Sequence, residues 1–384
     1  MIQSNQATQE MENTAKVEAC LFMSMELSLK QWKLGFSDGK SRRVRVVGIR
    51  AKAFDELREQ IGKARKCFGL GANGPVRSCY EAGREGFWIH RILIEKGIDN
   101  VVVDASSIEV SRRNRRAKTD RMDAEKLVEQ LIRYAGGETR VWSVVRVPSK
   151  EAEDARQLHR EMEILKKELK AHQSRIRSIL FTQGIDVKLK AKFLQQLEQL
   201  RCGDGQALAE EIQQRLVREY HRFQLAQADL RTLEKQQRQQ LEHPRTVAQE
   251  KIVLLKKLCG IAITSSWTFV MEFLGWRKFN NRRELAAAMG IVPMPYQSGQ
   301  MNRSQGISRS GNRRVRSMIV EIAWSWLRFQ PESELSRWYQ DRFGHAGARQ
   351  RRIGIVALAR RLMIALWRYL ETGVIPEGAR LKAN

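Results

Sequence analysis

Between residues 151 and 243 the apolar side chains fall into a helical stripe, and that stripe separates an upstream part of the chain from a downstream part. Leu158, Met162, Leu165 and Leu169 step by four, three and four, and Ile176 and Leu180 continue the line. After a break at Gly203-Asp204-Gly205, a second stripe runs through Ile212, Leu216, Phe223, Leu230 and Leu233. Gln, Glu, Lys and Arg fill the other faces. A narrow seam of this kind is buried against another helix, so 149–245 reads as a coiled-coil helical hairpin. It reads as a spacer, as a dimerisation or RNA-holding element, or as both.

Ahead of the hairpin the pattern is mixed. Cys20–Leu27, Gln31–Phe36 and Val44–Ile49 read as strands, with Asp38-Gly39 as a turn signal between the second and third. Phe54, Leu57, Ile61 and Ala64 form one stripe of a helix over Ala53–Cys67. A strand (Val76–Tyr80), a helix (Phe87–Lys96), a strand (Val101–Val103) and a helix (Arg121–Tyr134) come next. The order βββαβαβα is that of an α/β ribonuclease-H-like domain, here assigned to 19–148. A nuclease-type scaffold is expected, although fold alone does not give function. Residues 1–18 are polar and read as a disordered tail. Residues 246–384 read as a third, mainly helical domain, closed off from the hairpin by His243-Pro244.

Charge narrows the partners. In 384 residues there are 69 Lys+Arg against 43 Asp+Glu, a net +26. Self-repulsion on that scale points to a polyanion, and nucleic acid leads. No apolar run approaches the length of a membrane span, so no membrane partner is expected. The last 84 residues hold 16 basic residues against 6 acidic ones, interleaved with Trp324, Trp326, Trp338 and Trp367. Most of these tryptophans fall at helical spacings with Ile322, Leu327 and Leu366 and read as core; one or two remain available to stack on bases. Cys20, Cys67, Cys79, Cys202 and Cys259 are scattered, odd in number and without CxxC spacing, which suits a reducing cytosol. A cytoplasmic, nucleoid-associated protein is expected.

Two groups of residues carry candidate chemistry. Asp120 and Asp123 stand three apart at the start of a helix, which puts both carboxylates on one face. Capping alone explains one such Asp. Glu26 and Glu81, each at the end of a strand, change the balance: in a ribonuclease-H-like sheet those ends lie together and face that helix. Four converging carboxylates suit a hard divalent cation such as Mg²⁺. The second group is Pro293-Met294-Pro295-Tyr296-Gln297-Ser298-Gly299, a loop succeeded by an arginine-laden stretch. A serine attacking phosphorus needs cationic donors around it. Tyr296 is a rival nucleophile, and Ser304, Ser308 and Ser310 are weaker ones. Arg112, Arg113, Arg115 and Arg116 before the acidic helix, and Arg303, Arg309, Arg313 and Arg314 after the serine, are the candidate nucleic-acid contacts. A helix–turn–helix at Leu258-Cys259-Gly260-Ile261-Ala262 either presents amides to a phosphate or is a packing turn.

Glu81-Ala82-Gly83, Lys118-Thr119-Asp120 with Asp123-Ala124, the Gly290–Pro293 loop, Ser298-Gly299 and Ser310-Gly311-Asn312 stand in the order and spacing of the DEDD transposases of bacterial insertion sequences, also known as bridge-RNA-guided recombinases. The chain resembles that family from residue 20 onward. The resemblance implies a RuvC-like domain, a coiled coil and a C-terminal transposase domain in which a serine becomes linked to DNA while an acidic site works with it. It implies a composite site in a tetramer, or at least a dimer, and a structured guide (bridge) RNA that pairs with donor and target DNA. By motif position the serine is Ser298 and the acids are Glu26, Glu81, Asp120 and Asp123. The family's first acid is usually Asp; here the carboxylate sits on the longer arm of Glu26, with Asp38 and Asp104 as lower-ranked substitutes. Two rival readings stay open: a metal-dependent nuclease or Holliday-junction resolvase using the carboxylates alone, and a basic nucleic-acid-binding protein in which the acids are caps.

Overall fold

The computed structural model describes residues 20–41, 43–108, 120–189, 192–298 and 301–382, with the backbone alone described at 297, 298 and 301–304. The tail expected over 1–18, and Arg112, Arg113, Arg115 and Arg116, lie outside the described residues. The chain divides into two compact units, Met1–Val147 and Pro148–Asn384.

In the first unit the described residues form a five-stranded sheet of order β3-β2-β1-β4-β5. Its strands are β1 (Leu21–Glu26), β2 (Gln31–Ser37), β3 (Arg45–Arg50), β4 (Val76–Glu81) and β5 (Asp99–Val103). β1, β2 and β3 pair antiparallel, whereas β4 and β5 run parallel to β1. Parallel neighbours need crossovers, and α1 (Phe54–Cys67) and α2 (Trp88–Glu95) supply them. The central strand is apolar on both faces. Leu21, Met23 and Met25 join Leu57 and Ile61 of α1 and Ile89 and Leu93 of α2 in one core. Phe22 and Cys79 face the other way, into a core with Leu127, Val128 and Leu131 of α3 (Asp120–Ala135). The Asp38-Gly39 turn forms as expected, with Gly39 at φ 73 and the Asp38 carboxylate accepting from the amides of Lys40 and Ser41.

The second unit begins with a short helix, α4 (Lys150–Asp154), and is dominated by two long ones, α5 (Gln157–Phe181) and α7 (Glu210–Glu242). They run antiparallel: Ile176 and Leu180 near the end of α5 share a core with Leu216 and Tyr220 near the start of α7. The connection folds back into that core through Ile185, Leu208 and the short α6 (Phe193–Leu197). The rest is α8 (Val247–Lys256), α9 (Ile263–Phe269) running into a π-helical turn at Val270–Leu274, α10 (Arg282–Met289), a β6–β7 ribbon (Pro293–Ser298 and Met301–Ile307), α11 (Arg313–Phe329), α12 (Glu334–Tyr339) and α13 (Ala348–Thr372). Trp267 and Trp326 lie in the common core with Leu255, Ile319 and Leu362.

Candidate active site

The acidic residues lie towards one end of the sheet's strands. β1 and β4 pair through Met25 and Tyr80, so Glu26 and Glu81 come next at the same level on neighbouring parallel strands. Alternation along a strand returns each side chain to the face of the residue two before it. For Glu26 that residue is Ser24, whose hydroxyl donates to the Ala124 carbonyl of α3 at 2.5 Å. For Glu81 it is Cys79, whose thiol contacts the Leu127 carbonyl at 3.7 Å. Both glutamates therefore belong to the face that α3 covers. The first turn of α3 carries Asp120 and Asp123, and α3 runs antiparallel to β1, because Ile132 lies near Gly39 and Phe22 while Ala124 lies at Ser24. That turn thus reaches the strand end where Glu26 and Glu81 sit. Gly35 of β2 makes the approach possible: a Cβ there would meet Ser24 Oγ at 2.7 Å and the Ala124 carbonyl oxygen at 2.9 Å.

An all-carboxylate oxygen set fits a hard divalent cation in its chemistry. Among the described residues no group of three or more His, Cys, Asp or Glu side chains is drawn together closely enough to hold a metal ion. The lower-ranked acids have local tasks. Asp38 closes its turn and is held below the usual carboxylate range: burial pushes it up, but the donors of Ser41 and Lys40 outweigh that. Asp104 caps a short helical turn, accepting from the amide and hydroxyl of Ser106.

Ser298 does not lie on an irregular loop. It ends β6 of a two-stranded ribbon, paired with Met301 across residues 299 and 300, which lie outside the described residues. Tyr296 pairs with Arg303, and Pro295 with Ser304. The sequence hid this ribbon because β7 is polar and β6 carries two prolines, both unfavourable strand signals. Its root is clamped by backbone bonds from Ser308 to Val292 (2.9 Å) and from Arg309 to Gly290 (3.1 Å). Gly290, at φ 70, ends α10, and a Cβ there would fall 1.8 Å from the Ser310 carbonyl oxygen. Only glycine fits that approach. Ser308 and Ser310, the weaker rivals, bond each other at 3.1 Å within this root.

Cations crowd the same root. Arg309 is a non-glycine residue in the left-handed region, at φ 56, a conformation that tends to accompany function. Arg313 opens α11, and Arg316 one turn later donates to the Met289 carbonyl at 3.2 Å. The Arg316 pKa is lowered, first by burial and then by the charges of Arg313 and Arg309. The charges of Arg313 and Arg309 thus bear on Arg316 at the root of the ribbon that carries Ser298. Arg316 was missed in the sequence, although its spacing of three from Arg313 on a helix was a usable signal. Arg314 points elsewhere and pairs with Glu163 of α5 at 3.0 Å.

The Gly260 turn is a packing junction. Its carbonyls accept from Ser325 and Gln330, and a Cβ at Gly260 would meet Phe329 at 3.3 Å. Trp338 lies between Arg361 and Arg342, at 4.4 and 5.6 Å from its ring, and Trp324 is 48% exposed. Among the described residues no helix is long and apolar enough to cross a membrane.

Residues 253–338, which contain the ribbon, its root and the start of α12, match the model of the transposase IS116/IS110/IS902 family. The whole chain is similar to "Putative transposase y4rJ" of Sinorhizobium fredii, strain NBRC 101917 / NGR234, at 37% identity over 94% of each chain. A second protein of that strain, "Putative transposase y4qE", is 27% identical over 67% of this chain and 60% of its own. The mixed sheet, the helical second unit and these likenesses define a transposase, an enzyme class of DNA recombination whose partner is DNA. The chain belongs to the IS116/IS110/IS902 family and is the transposase of an IS110-type insertion sequence.

Proposed function

We propose that this transposase is an RNA-guided DNA recombinase that cuts and rejoins donor and target DNA through a covalent phosphoserine intermediate on Ser298. The observation that carries the reading is the ribbon itself, which ends β6 at Ser298 and is rooted beside Arg309, Arg313 and Arg316. Like charges held together are stabilised by an anion, and a DNA phosphate is the anion a transposase meets. In the reaction the Ser298 hydroxyl oxygen bonds to phosphorus as the bond from phosphorus to the leaving sugar oxygen breaks. The serine proton is lost and the leaving oxygen gains one. One phosphodiester is exchanged for another, so religation by the reverse attack needs no ATP. The arginines grip the DNA backbone at the root of the ribbon, roughly 20 Å along the strand from Ser298, and so orient the strand whose phosphate the serine attacks.

The sheet order β3-β2-β1-β4-β5, with its antiparallel first three strands, supports a RuvC-like, ribonuclease-H-like reading of the first unit. The antiparallel α5–α7 pair supports the coiled-coil hairpin. Glu26, Glu81, Asp120 and Asp123 are the residues that would hold Mg²⁺, which when bound supplies charge that activates an oxygen nucleophile and steadies a leaving oxygen. The net charge of +26 supports a structured guide RNA as a second polyanionic partner, and the family resemblance supports a dimer or tetramer.

A suicide substrate, nicked so that the cleaved strand diffuses away, tests the serine. An adduct on a denaturing gel, mapped by mass spectrometry to the peptide containing Tyr296-Gln297-Ser298, is expected; Ser298→Ala should abolish it and Tyr296→Phe should keep it. An adduct on Tyr296 would make this a tyrosine-type enzyme. Cleavage with no adduct would favour a metal-dependent nuclease.

A further inference from the structure

Glu272 is 1% exposed, on the π-helical turn that continues α9. Such a turn widens the helix by one residue and re-aims a side chain, and it recurs at functional positions. Two other elements meet on this carboxylate. From α5, His159 Nε2 lies 2.9 Å from Oε1, while Arg160 donates to both oxygens, at 2.7 and 2.9 Å. From the root of the ribbon, Asn312 Nδ2 donates to Oε2 at 3.2 Å. The other side of the Asn312 amide is committed as well, because its Oδ1 caps α11 by accepting from the amides of Arg314 and Val315. Its backbone amide donates to the Ala288 carbonyl at 3.1 Å, at the end of α10. One asparagine therefore fixes the start of α11, the end of α10 and the buried carboxylate together, two residues from the close approach of Gly290 and Ser310.

We infer that Glu272 is a positioning residue for the transposition chemistry: through Asn312 it locks the root of the Ser298 ribbon to the long helix α5. The inference rests on the Ser298 reading above. A capped helix start needs only the asparagine oxygen, and a buried ion pair needs only His159 and Arg160. The added bond between Asn312 and Glu272 joins these two sufficient arrangements, and its consequence falls on the ribbon between them. The ribbon that carries the serine then keeps one orientation on its root, which phosphoryl transfer requires, since small misplacements of reacting groups cost large factors in rate.

The test separates capping from coupling. Serine caps a helix as well as asparagine does, but its short arm does not reach Glu272. Asn312→Ser should keep DNA affinity, lower the single-turnover rate of adduct formation by about tenfold or more, and speed amide hydrogen exchange over Val292–Ile307. In a second pair, Asn312→Asp sets two carboxylates against each other, and adding Glu272→Gln restores a donor and an acceptor with their polarity reversed. The double variant should form adduct faster than Asn312→Asp alone. A wild-type adduct rate and wild-type ribbon exchange in Asn312→Ser would overturn the inference, as would a double variant no faster than Asn312→Asp. If Asn312→Ser does not fold, the comparison within the second pair decides. Loss of the adduct in Ser298→Ala beside full activity in Asn312→Ser leaves the serine standing and sinks only this coupling; an adduct that survives Ser298→Ala sinks the serine itself.

Discussion

The Ser24 hydroxyl and the Ala124 carbonyl, 100 residues apart in sequence, meet at 2.5 Å between the central strand and α3. That bond, with the bare backbone of Gly35 beside it, sets how closely the acidic helix lies on the sheet. Gly35→Ala should push α3 off the sheet and lower stability by about 1–3 kcal/mol, the range for overpacking a core. Ser24→Ala should cost about 1 kcal/mol, since the Ala124 carbonyl loses one partner. Urea denaturation reads both. An unchanged midpoint in Gly35→Ala would mean that α3 and the sheet lie too far apart for this bond to set their spacing.

Asp120→Asn and Asp123→Asn should each abolish recombination while circular dichroism and melting stay near wild type. The change removes negative charge and keeps shape, and the first turn of a helix tolerates Asn well. The same loss is expected of the unaltered enzyme under excess EDTA, with recovery on adding Mg²⁺. Recombination at the wild-type level in either variant, or under EDTA, removes the metal from the mechanism.

Binding should be tight and steeply dependent on salt, because each phosphate neutralised releases counterions. At one fixed physiological salt, a structured RNA from the element's own non-coding end should bind more tightly than random duplex DNA of equal length. Arg316→Ala should weaken DNA binding and flatten its salt dependence by about one unit of slope, the change expected when a single phosphate is no longer neutralised. Equal affinity for RNA and duplex DNA would leave a DNA-binding enzyme without a guide.

The first unit was largely legible because its elements are locally consistent. Apolar β-rich runs, a Leu57–Ile61–Ala64 stripe and an Asp-Gly turn each say the same thing at short range, and topology emerges from their order. The long helices were legible from their leucine seams, yet the seams misled on what fills them. His159 and Glu219 are buried at seam positions where charge is not expected, Glu219 held by His172 at 2.7 Å and by Arg175. The ribbon escaped notice because backbone pairing, not apolar alternation, defines it. Glu272 did leave a trace: a lone carboxylate in the apolar run Phe269-Val270-Met271-Glu272-Phe273-Leu274 demands buried partners. Those partners, 113 and 40 residues away, are a product of the tertiary fold and are not written locally.

Acid should weaken the fold through its buried carboxylates. Burial alone would raise the Glu272 pKa, but the hydrogen bonds from His159 and Arg160 and the charge of Arg160 overcome it and hold the group far below the usual carboxylate range. Glu219 is displaced the same way, with burial opposed by His172 and Arg175. In the unfolded chain both return to about 4.3. As pH falls, the unfolded chain therefore takes up these protons first, and stability drops with pH. The contribution of the Glu272 pair is complete above the unfolded value and is lost as the pH falls from there towards the folded one. Glu272→Ala at neutral pH should cost about 3–5 kcal/mol, because it strands the buried His159 and the half-buried Arg160. Glu272→Gln should be less stable than wild type at pH 7, yet the gap should narrow steadily below about pH 4.3, since the variant has no proton to take up there. Denaturation midpoints measured across that range decide the matter: a gap that stays constant down the acid limb would show that the carboxylate carries no charge-dependent share of stability, and that Arg160 and His159 pack against it without pairing.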